Sequence, residues 1–286
     1  GGDAGAALFS DHCVSCHGTY ERLHPEALRA DVPLSGGLPI APHLGPFYSA
    51  NLTSDPETGI GAWSDEEIAR VIRTGVRRNG QLSVFMRLSL GPMSDEDLIA
   101  VVSYLRTVAP VRHEVPPSTP NLIARAFVRF ATVEPRPVEV DADLGFVPEG
   151  AVSVERGHYL ANGPAACVGC HTPVSPDDPL ALWEGHELSG GDAQPSETDS
   201  SMEFQPPNLT PDPTTGLSGI WTEAQFVTRF SSGEHHYPDS IMPWECFSRM
   251  PESDIRSIWA YLRSLPPAHR ATGPSRREAG SFTPAE

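Results

Sequence analysis

The sequence predicts an all-α protein of two tandem domains joined by a proline-rich strap. Landmark residues recur at a nearly constant offset along the chain, which indicates an internal duplication. Helix start signals occur at matching places in the two copies. No convincing run of alternating apolar and polar residues, the pattern typical of a half-buried strand, accompanies them.

The duplication rests on five landmarks that recur in the same order. Two Cys-x-x-Cys-His motifs and two Leu-Ser-Gly-Gly segments are each 154 residues apart. Two Asn-Leu-Thr-x-Asp-Pro-x-Thr-Gly elements and two Tyr-Leu-Arg triplets are each 157 residues apart, and two tryptophans are 158 apart. The landmarks start at Cys13 and Cys167, Leu34 and Leu188, Asn51 and Asn208, Trp63 and Trp221, and Tyr104 and Tyr261. Two copies predict a pair of domains and not a solenoid.

These landmarks divide the chain into four parts. One domain is expected at residues 1–110 and the other at residues 151–270. Residues 111–150 are rich in Pro, Val and acidic residues, so we expect a strap that runs extended over the surface, with one short helix between Asn121 and Val133. Residues 271–286 are expected to be a mobile tail.

Helix signals place two helices in each domain. The segment Trp63 to Ile68 carries a capping box, with Ser64 as N-cap and Glu67 three residues later. Thr222 and Gln225 repeat this arrangement in the second copy. The last helix of each domain is predicted at 95–108 and at 253–265, where apolar residues recur at helical spacing.

The charge of the chain restricts its partners. The 286 residues include 37 acidic and 20 basic side chains, a net charge of −17, which makes nucleic acid a poor partner and favours a protein with a basic docking patch. The net charge is −5 over residues 1–110, −2 over 111–150 and −10 over 151–286. Within the last part, the acidic insertion Glu184 to Glu203 is either a solvated loop or part of a docking surface. No run of about 18 apolar residues predicts a membrane-spanning helix.

The two Cys-x-x-Cys-His motifs indicate covalent attachment of two c-type haems. Two thiols must add to the two vinyl groups of one porphyrin, so two intervening residues set the separation of the sulfurs. The adjacent histidine is then carried under the iron as the proximal ligand. The motifs consist of Cys13, Cys16 and His17 and of Cys167, Cys170 and His171.

A Cys-x-x-Cys pair also occurs in redox dithiols and in zinc sites. A redox dithiol of the thioredoxin type requires a βαβ context, which the sequence does not suggest. Two pairs can close a zinc site, but such pairs are usually about 15–20 residues apart, whereas these are 154 apart.

An electron-carrying haem needs a second axial ligand, and methionine provides one that raises the reduction potential. The second domain offers Met202, Met242 and Met250, of which Met242 lies in a Met-Pro loop between helices. The first domain offers Met86 and Met93. Met93 and Met250 precede the last helices, where core packing is the expected role. That leaves Met86 and Met242 as predicted ligands of the two irons.

Three further residues are alternatives to these ligands. Cys246 is the odd thiol, expected to be a small buried apolar residue, with thiolate ligation as the other option. His43 and His186 become ligand candidates only if the methionine assignments fail.

With these residues the chain resembles the bacterial periplasmic dihaem cytochromes c, and it is similar to the cytochrome c subunits of membrane-bound alcohol and gluconate dehydrogenases. The segments that carry the resemblance are Leu34-Ser35-Gly36-Gly37, Asn51 to Ser64, Arg73 to Val76, Met93 to Leu98 and Tyr104-Leu105-Arg106, and in the second copy Tyr159-Leu160, His171-Thr172-Pro173 and Met242-Pro243. The resemblance implies two tandem class I-type cytochrome c domains, two covalently bound haem c groups, and iron ligands at His17, Met86, His171 and Met242. It also implies a periplasmic location, with or without an anchor upstream of this chain.

The resulting expectation is an electron-transfer protein and not an enzyme. It would carry single electrons between a dehydrogenase or quinol-oxidising complex and a terminal acceptor, as a soluble carrier or as a subunit of a membrane-associated respiratory complex. A dihaem peroxidase is the first alternative, although it needs one iron with an open site and two unlike haems, whereas the two copies are alike. Oxidation of a sulfur compound, with Cys246 as iron ligand, is the second alternative.

Overall fold

The computed structural model of the chain describes residues 17–18, 33–40, 45, 47–80, 83, 86, 90–119, 121–122, 150–177, 181–196, 199–237, 240 and 242–282. The chain divides into two compact units, Gly1–Phe146 and Val147–Glu286. In its described part the chain is mostly helical with a few short strands. Within that part, no helix is both long and apolar enough to cross a membrane.

The first unit contains two described helices and a short hairpin. Strands β1, Pro39–Ile40, and β2, Phe47–Tyr48, pair antiparallel. Helix α1 spans Asp65–Thr74 and helix α2 spans Asp95–Leu105. The buried core side chains of the two helices are Ile68, Ile72, Leu98, Val101, Val102 and Leu105.

The predicted capping boxes are confirmed. Ser64 accepts a hydrogen bond from the Glu67 backbone N–H, and the Glu67 carboxylate accepts one from the Ser64 N–H at 2.9 Å. Helix α1 ends at Gly75, whose φ of 75° places it in the left-handed region that favours glycine. The second unit repeats the box with Thr222 and Gln225.

The second unit has six described helices and a small sheet. The helices are α3 Val154–Asn162, α4 Cys167–His171, α5 Leu217–Ile220, α6 Glu223–Ser232, α7 Trp244–Phe247 and α8 Glu252–Ser264. Strands β3 Gln194–Pro195, β4 Met202–Phe204 and β5 Arg276–Glu278 form an antiparallel sheet in the order β3-β4-β5.

The core of the second unit is built where α3 crosses α8. A Cβ at Gly157 would overlap the carbonyl oxygen of Ser257, so only glycine allows this close approach of the two backbones. Beside the crossing, Arg156 donates two hydrogen bonds to the carboxylate of Asp254, at 2.9 and 2.8 Å. Both side chains are almost completely buried. The ion pair therefore joins the first helix of the unit to its last.

Two expectations from the sequence need correction. Residues 271–286 are not a mobile tail over their described part, because β5 pairs with β4 and Arg277 is buried against Gln205 and Glu203. The short strands also make the fold less purely helical than predicted. The predicted helix between residues 121 and 133 lies outside the described residues, apart from 121–122.

The last helices begin close to their predicted starts. Helix α2 starts at Asp95 as predicted but ends at Leu105, three residues early, and α8 starts and ends one residue before its predicted bounds. The end of a helix is less well specified by sequence than its start, because the last turn often frays.

Candidate haem-attachment sites

The Cys-x-x-Cys-His motif of the second unit forms helix α4. Ala166, immediately before it, has a φ of 49°, an uncommon conformation for a residue other than glycine, and it reverses the chain ahead of the helix. Cys167 and Cys170 are three residues apart on one turn, so their side chains project from the same side of α4. Cys167 is half-buried and Cys170 is exposed, and neither forms a disulfide bond.

The ring of His171 is held by a backbone carbonyl. Its Nδ1 lies 2.9 Å from the carbonyl oxygen of Pro207, and since a carbonyl only accepts, Nδ1 carries the proton. Nε2 is therefore left with its lone pair. Burial lowers the pKa of His171, and the hydrogen bond to Pro207 partly opposes this. The neutral imidazole, with one nitrogen fixed by a carbonyl, is the arrangement typical of a metal-ligating histidine.

The Leu-Ser-Gly-Gly segment packs against the C-terminal end of α4. The Gly190 N–H donates to the His171 carbonyl at 2.8 Å, and the Leu188 N–H donates to the Thr172 hydroxyl at 3.0 Å. A Cβ at Gly191 would overlap the carbonyl oxygen of Cys170. The glycine pair therefore allows the segment to lie directly against the attachment motif.

The Asn-Leu-Thr element connects the attachment site to the segment that follows α8. The Asn208 side chain accepts hydrogen bonds from the Thr210 N–H and hydroxyl, at 2.9 and 2.8 Å, and donates to the Ala268 carbonyl at 2.7 Å. The Leu209 N–H donates to the Leu188 carbonyl at 2.8 Å. This turn therefore places the Pro207 carbonyl next to the His171 ring. It also forms a hydrogen bond with the segment that follows α8.

The first unit repeats the same contacts around His17. Its Nδ1 lies 2.7 Å from the carbonyl oxygen of Ala50, and the Gly36 N–H donates to the His17 carbonyl at 2.8 Å. His17 is buried. Burial lowers the pKa of His17, the bond to Ala50 opposes this, and the nearby charge of Arg77 lowers it further. Cys13 and Cys16 lie outside the described residues.

Asn51 repeats the role of Asn208. Its side chain accepts from the Thr53 N–H and hydroxyl, at 2.9 and 2.7 Å, and donates to the Val111 carbonyl at 2.9 Å. Farther along the strap, the Ser118 hydroxyl accepts from the Tyr48 N–H at 3.0 Å. The beginning of the predicted strap is thus hydrogen-bonded to the first unit.

The methionines divide into two groups by burial. Met93 and Met250, next to the last helices, are buried in the cores. Met86, Met202 and Met242 are each half-buried. The Met242 carbonyl accepts from the Trp244 N–H at 2.9 Å, which fixes the start of α7.

The alternative ligands take other places. Cys246 is buried on α7. The His186 ring stacks on Trp183, with ring centroids 3.7 Å apart. His43 lies outside the described residues.

The described residues fit a haem c group. The donor set of the second unit is two thiols on one helical turn with a neutral, carbonyl-anchored imidazole directly after them. Burial raises the pKa of the Cys167 thiol to about 12, so it stays protonated and does not act as a free thiolate ligand at neutral pH. In the first unit, the His17 part of the motif has the same surroundings.

The carbonyl groups of Ala50 and Pro207 are site groups that sequence reasoning missed. They act through backbone atoms, so their side chains carry no chemical signal. Each nevertheless stands directly before the repeated Asn-Leu-Thr element, at the same offset of 157 as that element. The repeated Asn-Leu-Thr element predicted a turn at these positions. The structure shows in addition that the residue before the turn orients the histidine of the attachment motif.

Together, the repeated attachment motif and the histidine anchored to a carbonyl are the arrangement expected for attachment of c-type haem. Residues 2–109 match the model of the cytochrome c family, so the chain contains a cytochrome c domain. A domain of this family implies covalently bound haem c.

Three relatives describe the wider similarity. The chain is homologous to the cytochrome c subunit of alcohol dehydrogenase (quinone) of Komagataeibacter europaeus, with 29% identity over 91% of this chain and 55% of the relative. The gluconate 2-dehydrogenase cytochrome c subunit of Pantoea cypripedii is 29% identical over 88% of this chain and 56% of its own length. A diheme cytochrome c-type protein of Cereibacter sphaeroides is 27% identical over 91% and 83%. The chain therefore spans a little over half the length of the two dehydrogenase subunits.

Proposed function

We propose that this protein is a dihaem c-type cytochrome that carries single electrons between a dehydrogenase or quinol-oxidising complex and a terminal acceptor. The observation that carries this proposal is the recurrence of one arrangement in both units. His17 and His171 are both buried, both point Nδ1 at a backbone carbonyl, and both accept a glycine N–H at their own carbonyl. Two equivalent redox groups in one chain suit electron transfer.

The proposed architecture is two tandem class I-type cytochrome c domains, at residues 1–110 and 151–270, with the strap between them. The family match covers the first domain. The second carries the same turn, capping box and glycine contacts, which supports the same assignment.

The chain's own residues have distinct roles in this proposal. Cys13 with Cys16 and Cys167 with Cys170 would attach the two haems, and His17 and His171 would each provide a nitrogen ligand to iron. Met86 and Met242 would each provide a sulfur ligand. Bound haem c provides an iron that gains and loses one electron, and ligation by methionine raises its potential. No polypeptide side chain is consumed and no substrate is bound.

The partners and location follow from charge and from the relatives. The net charge of −17 favours a basic redox protein as partner. Relatives named as subunits of alcohol and gluconate dehydrogenases support a place in a dehydrogenase complex. We infer a periplasmic location from the resemblance to periplasmic dihaem cytochromes c and because haem attachment at this motif in bacteria takes place there.

Two measurements on the purified protein test the proposal. The reduced pyridine haemochrome gives the haem stoichiometry, and we expect two haems per chain. The ferric spectrum should be low-spin with the weak far-red band of methionine–sulfur ligation. A single haem would remove the dihaem assignment. A high-spin fraction that shifts when peroxide is added would support the peroxidase alternative and reject one methionine ligand.

A further inference from the structure

An exposed apolar surface lies directly after His171 in the second unit. Val174 and Leu182 face each other across an isolated antiparallel bridge, and their side chains are 41% and 42% exposed. Trp183 follows and is 36% exposed. We call these three residues the Trp183 surface. Adjacent exposed apolar side chains with polar residues around them are typical of an interaction site.

The Trp183 surface is built onto the haem-attachment segment. The Trp183 N–H donates to the Pro173 carbonyl at 2.8 Å, and the Ser175 N–H donates to the Ala181 carbonyl at the same distance. Stacking against His186 restrains the indole ring of Trp183. These contacts fix the Trp183 surface directly after the haem-attachment motif.

Acidic side chains accompany the apolar ones. Asp177, Glu184 and Glu187 are exposed, and the structure gives none of them an ion-pair partner in the part of the chain that it describes. The sequence from residue 172 to residue 192 contains no arginine or lysine. Among the described residues, no ion pair neutralises the carboxylates of Asp177, Glu184 and Glu187, so these charges can interact with a partner.

The equivalent segment of the first unit has a different sequence. Residues 18–33 and 172–187 have equal length, but the former includes Arg22 and Arg29 among its charges, for a net charge of −1. The latter has only acids, for a net charge of −4. The difference predicts that a charged partner distinguishes the two units.

We propose that the Trp183 surface is the docking site of a redox protein whose own docking face has an apolar centre surrounded by lysine and arginine. This inference rests on the proposed electron-transfer function. Burial of Trp183, Leu182 and Val174 would stabilise the complex, and the acids would steer its approach. Electrons would then enter or leave the chain at the haem of the second unit.

Stopped-flow electron transfer to a basic, lysine-rich ferric cytochrome c tests the proposal. The probe is mixed with the fully reduced protein, and the second-order rate constant is measured from low to high ionic strength. Two variants change the surface, Trp183→Ala and the double variant Glu184→Gln/Glu187→Gln. Two matched controls lie elsewhere in the same unit: Ile220→Ala removes another exposed apolar side chain, and Glu155→Gln/Glu278→Gln removes two other exposed acids.

We expect the double acid variant to slow the reaction by about tenfold at low ionic strength and to flatten its salt dependence, because steering of this kind changes association rates by about 10–10³-fold. Trp183→Ala should slow the reaction at every ionic strength. Both controls should stay within about twofold of the unmodified protein, since solvent and salt screen exposed charges that lie away from the docking site.

Haem stoichiometry and reduction potentials, measured for each variant, separate the possible outcomes. If all four variants react like the unmodified protein, the docking site is overturned while the proposed function stands. If the controls slow the reaction as much as the surface variants do, only the total charge matters, and the site is again rejected. If the reduced, fully haem-loaded protein passes no electrons to the probe, the proposed function itself fails. If Trp183→Ala loses haem, the Glu184→Gln/Glu187→Gln variant alone tests whether this surface is the docking site.

Discussion

The two units hold their histidines in the same way but surround them with different charges. Each unit has a glycine in the left-handed region at the end of the helix that carries the capping box: Gly75, with φ 75°, ends α1, and Gly233, with φ 64°, ends α6. Two residues further on, the first unit has Arg77 and the second has His235. A shared backbone thus carries unlike side chains at equivalent places.

Arg77 brings a positive charge close to the first site. Its neighbour Arg78 is exposed, binds Glu67 at 2.9 Å and lies over the ring of Trp63. Arg77 is half-buried instead, and its charge acts on His17. In the described part of the chain, no acidic side chain pairs with it.

In the second unit a histidine–carboxylate contact occupies the equivalent place. His235 Nε2 lies 2.7 Å from the carboxylate of Glu245, and both side chains are largely buried. His235 Nδ1 is buried and has no hydrogen-bond partner among the described residues. The proposed iron ligands are the same in the two units, but the two reduction potentials need not be equal, because a nearby cation favours the reduced iron and a carboxylate does not.

The largest expected difference between the units concerns stability. The Arg156–Asp254 pair joins α3 to α8, whereas the position equivalent to Arg156 in the first copy, at the offset of 154, is Gly2. Arg156→Met leaves Asp254 buried without its partner, which costs about 3–5 kcal/mol. Hydrogen exchange followed by mass spectrometry should show faster exchange in peptides from 154–162 and 252–264 and unchanged exchange in the first unit.

A surface arginine on α8 provides the control for that experiment. Arg256 binds Glu223 and Glu252, but its side chain is 39% exposed. Arg256→Gln should therefore cost less than about 1 kcal/mol. Equal effects of the two substitutions would mean that the buried pair has no special role in joining α3 to α8.

The next effect concerns the proposed methionine ligands. Met242→Ala should leave the haem of the second unit attached, because Cys167, Cys170 and His171 are unchanged, but lower its potential by on the order of 0.1 V. Met86→Ala should do the same in the first unit. Spectroelectrochemical titration measures both potentials, and Met250→Leu, a change in the core beside α8, is the control. An unchanged potential in either alanine variant rejects that methionine as a ligand.

Sequence reasoning was most successful where the determinants are local. The capping boxes of α1 and α6 depend on residues three apart, and both form as predicted. The pairing of Arg276–Glu278 with Met202–Phe204 joins segments more than 70 residues apart. No local pattern announces such a strand, so the end of the chain was predicted to be mobile.

The candidate sites divide in the same way. The attachment motifs could be recognised in the sequence because their chemistry requires particular side chains at a fixed spacing. The carbonyls of Ala50 and Pro207 were not, since every residue has a carbonyl and only the fold decides which one meets a histidine. The exposure of Trp183 could not be predicted from the sequence either, because a tryptophan is more often buried than exposed.

The smallest expected effect concerns the charge of Arg77 and the reduction potential of the first haem. Arg77→Gln removes the cation near His17 and should make reduction of the first haem about tenfold less favourable, which corresponds to about 59 mV for one electron. The haem of the second unit should keep its potential. Arg78→Gln removes an equal charge one residue away, but on the exposed side, where solvent screens it. Redox titration of the three proteins should therefore show a shift for Arg77→Gln alone. Equal shifts in both variants would mean that net charge, and not the placement of Arg77, distinguishes the two haems.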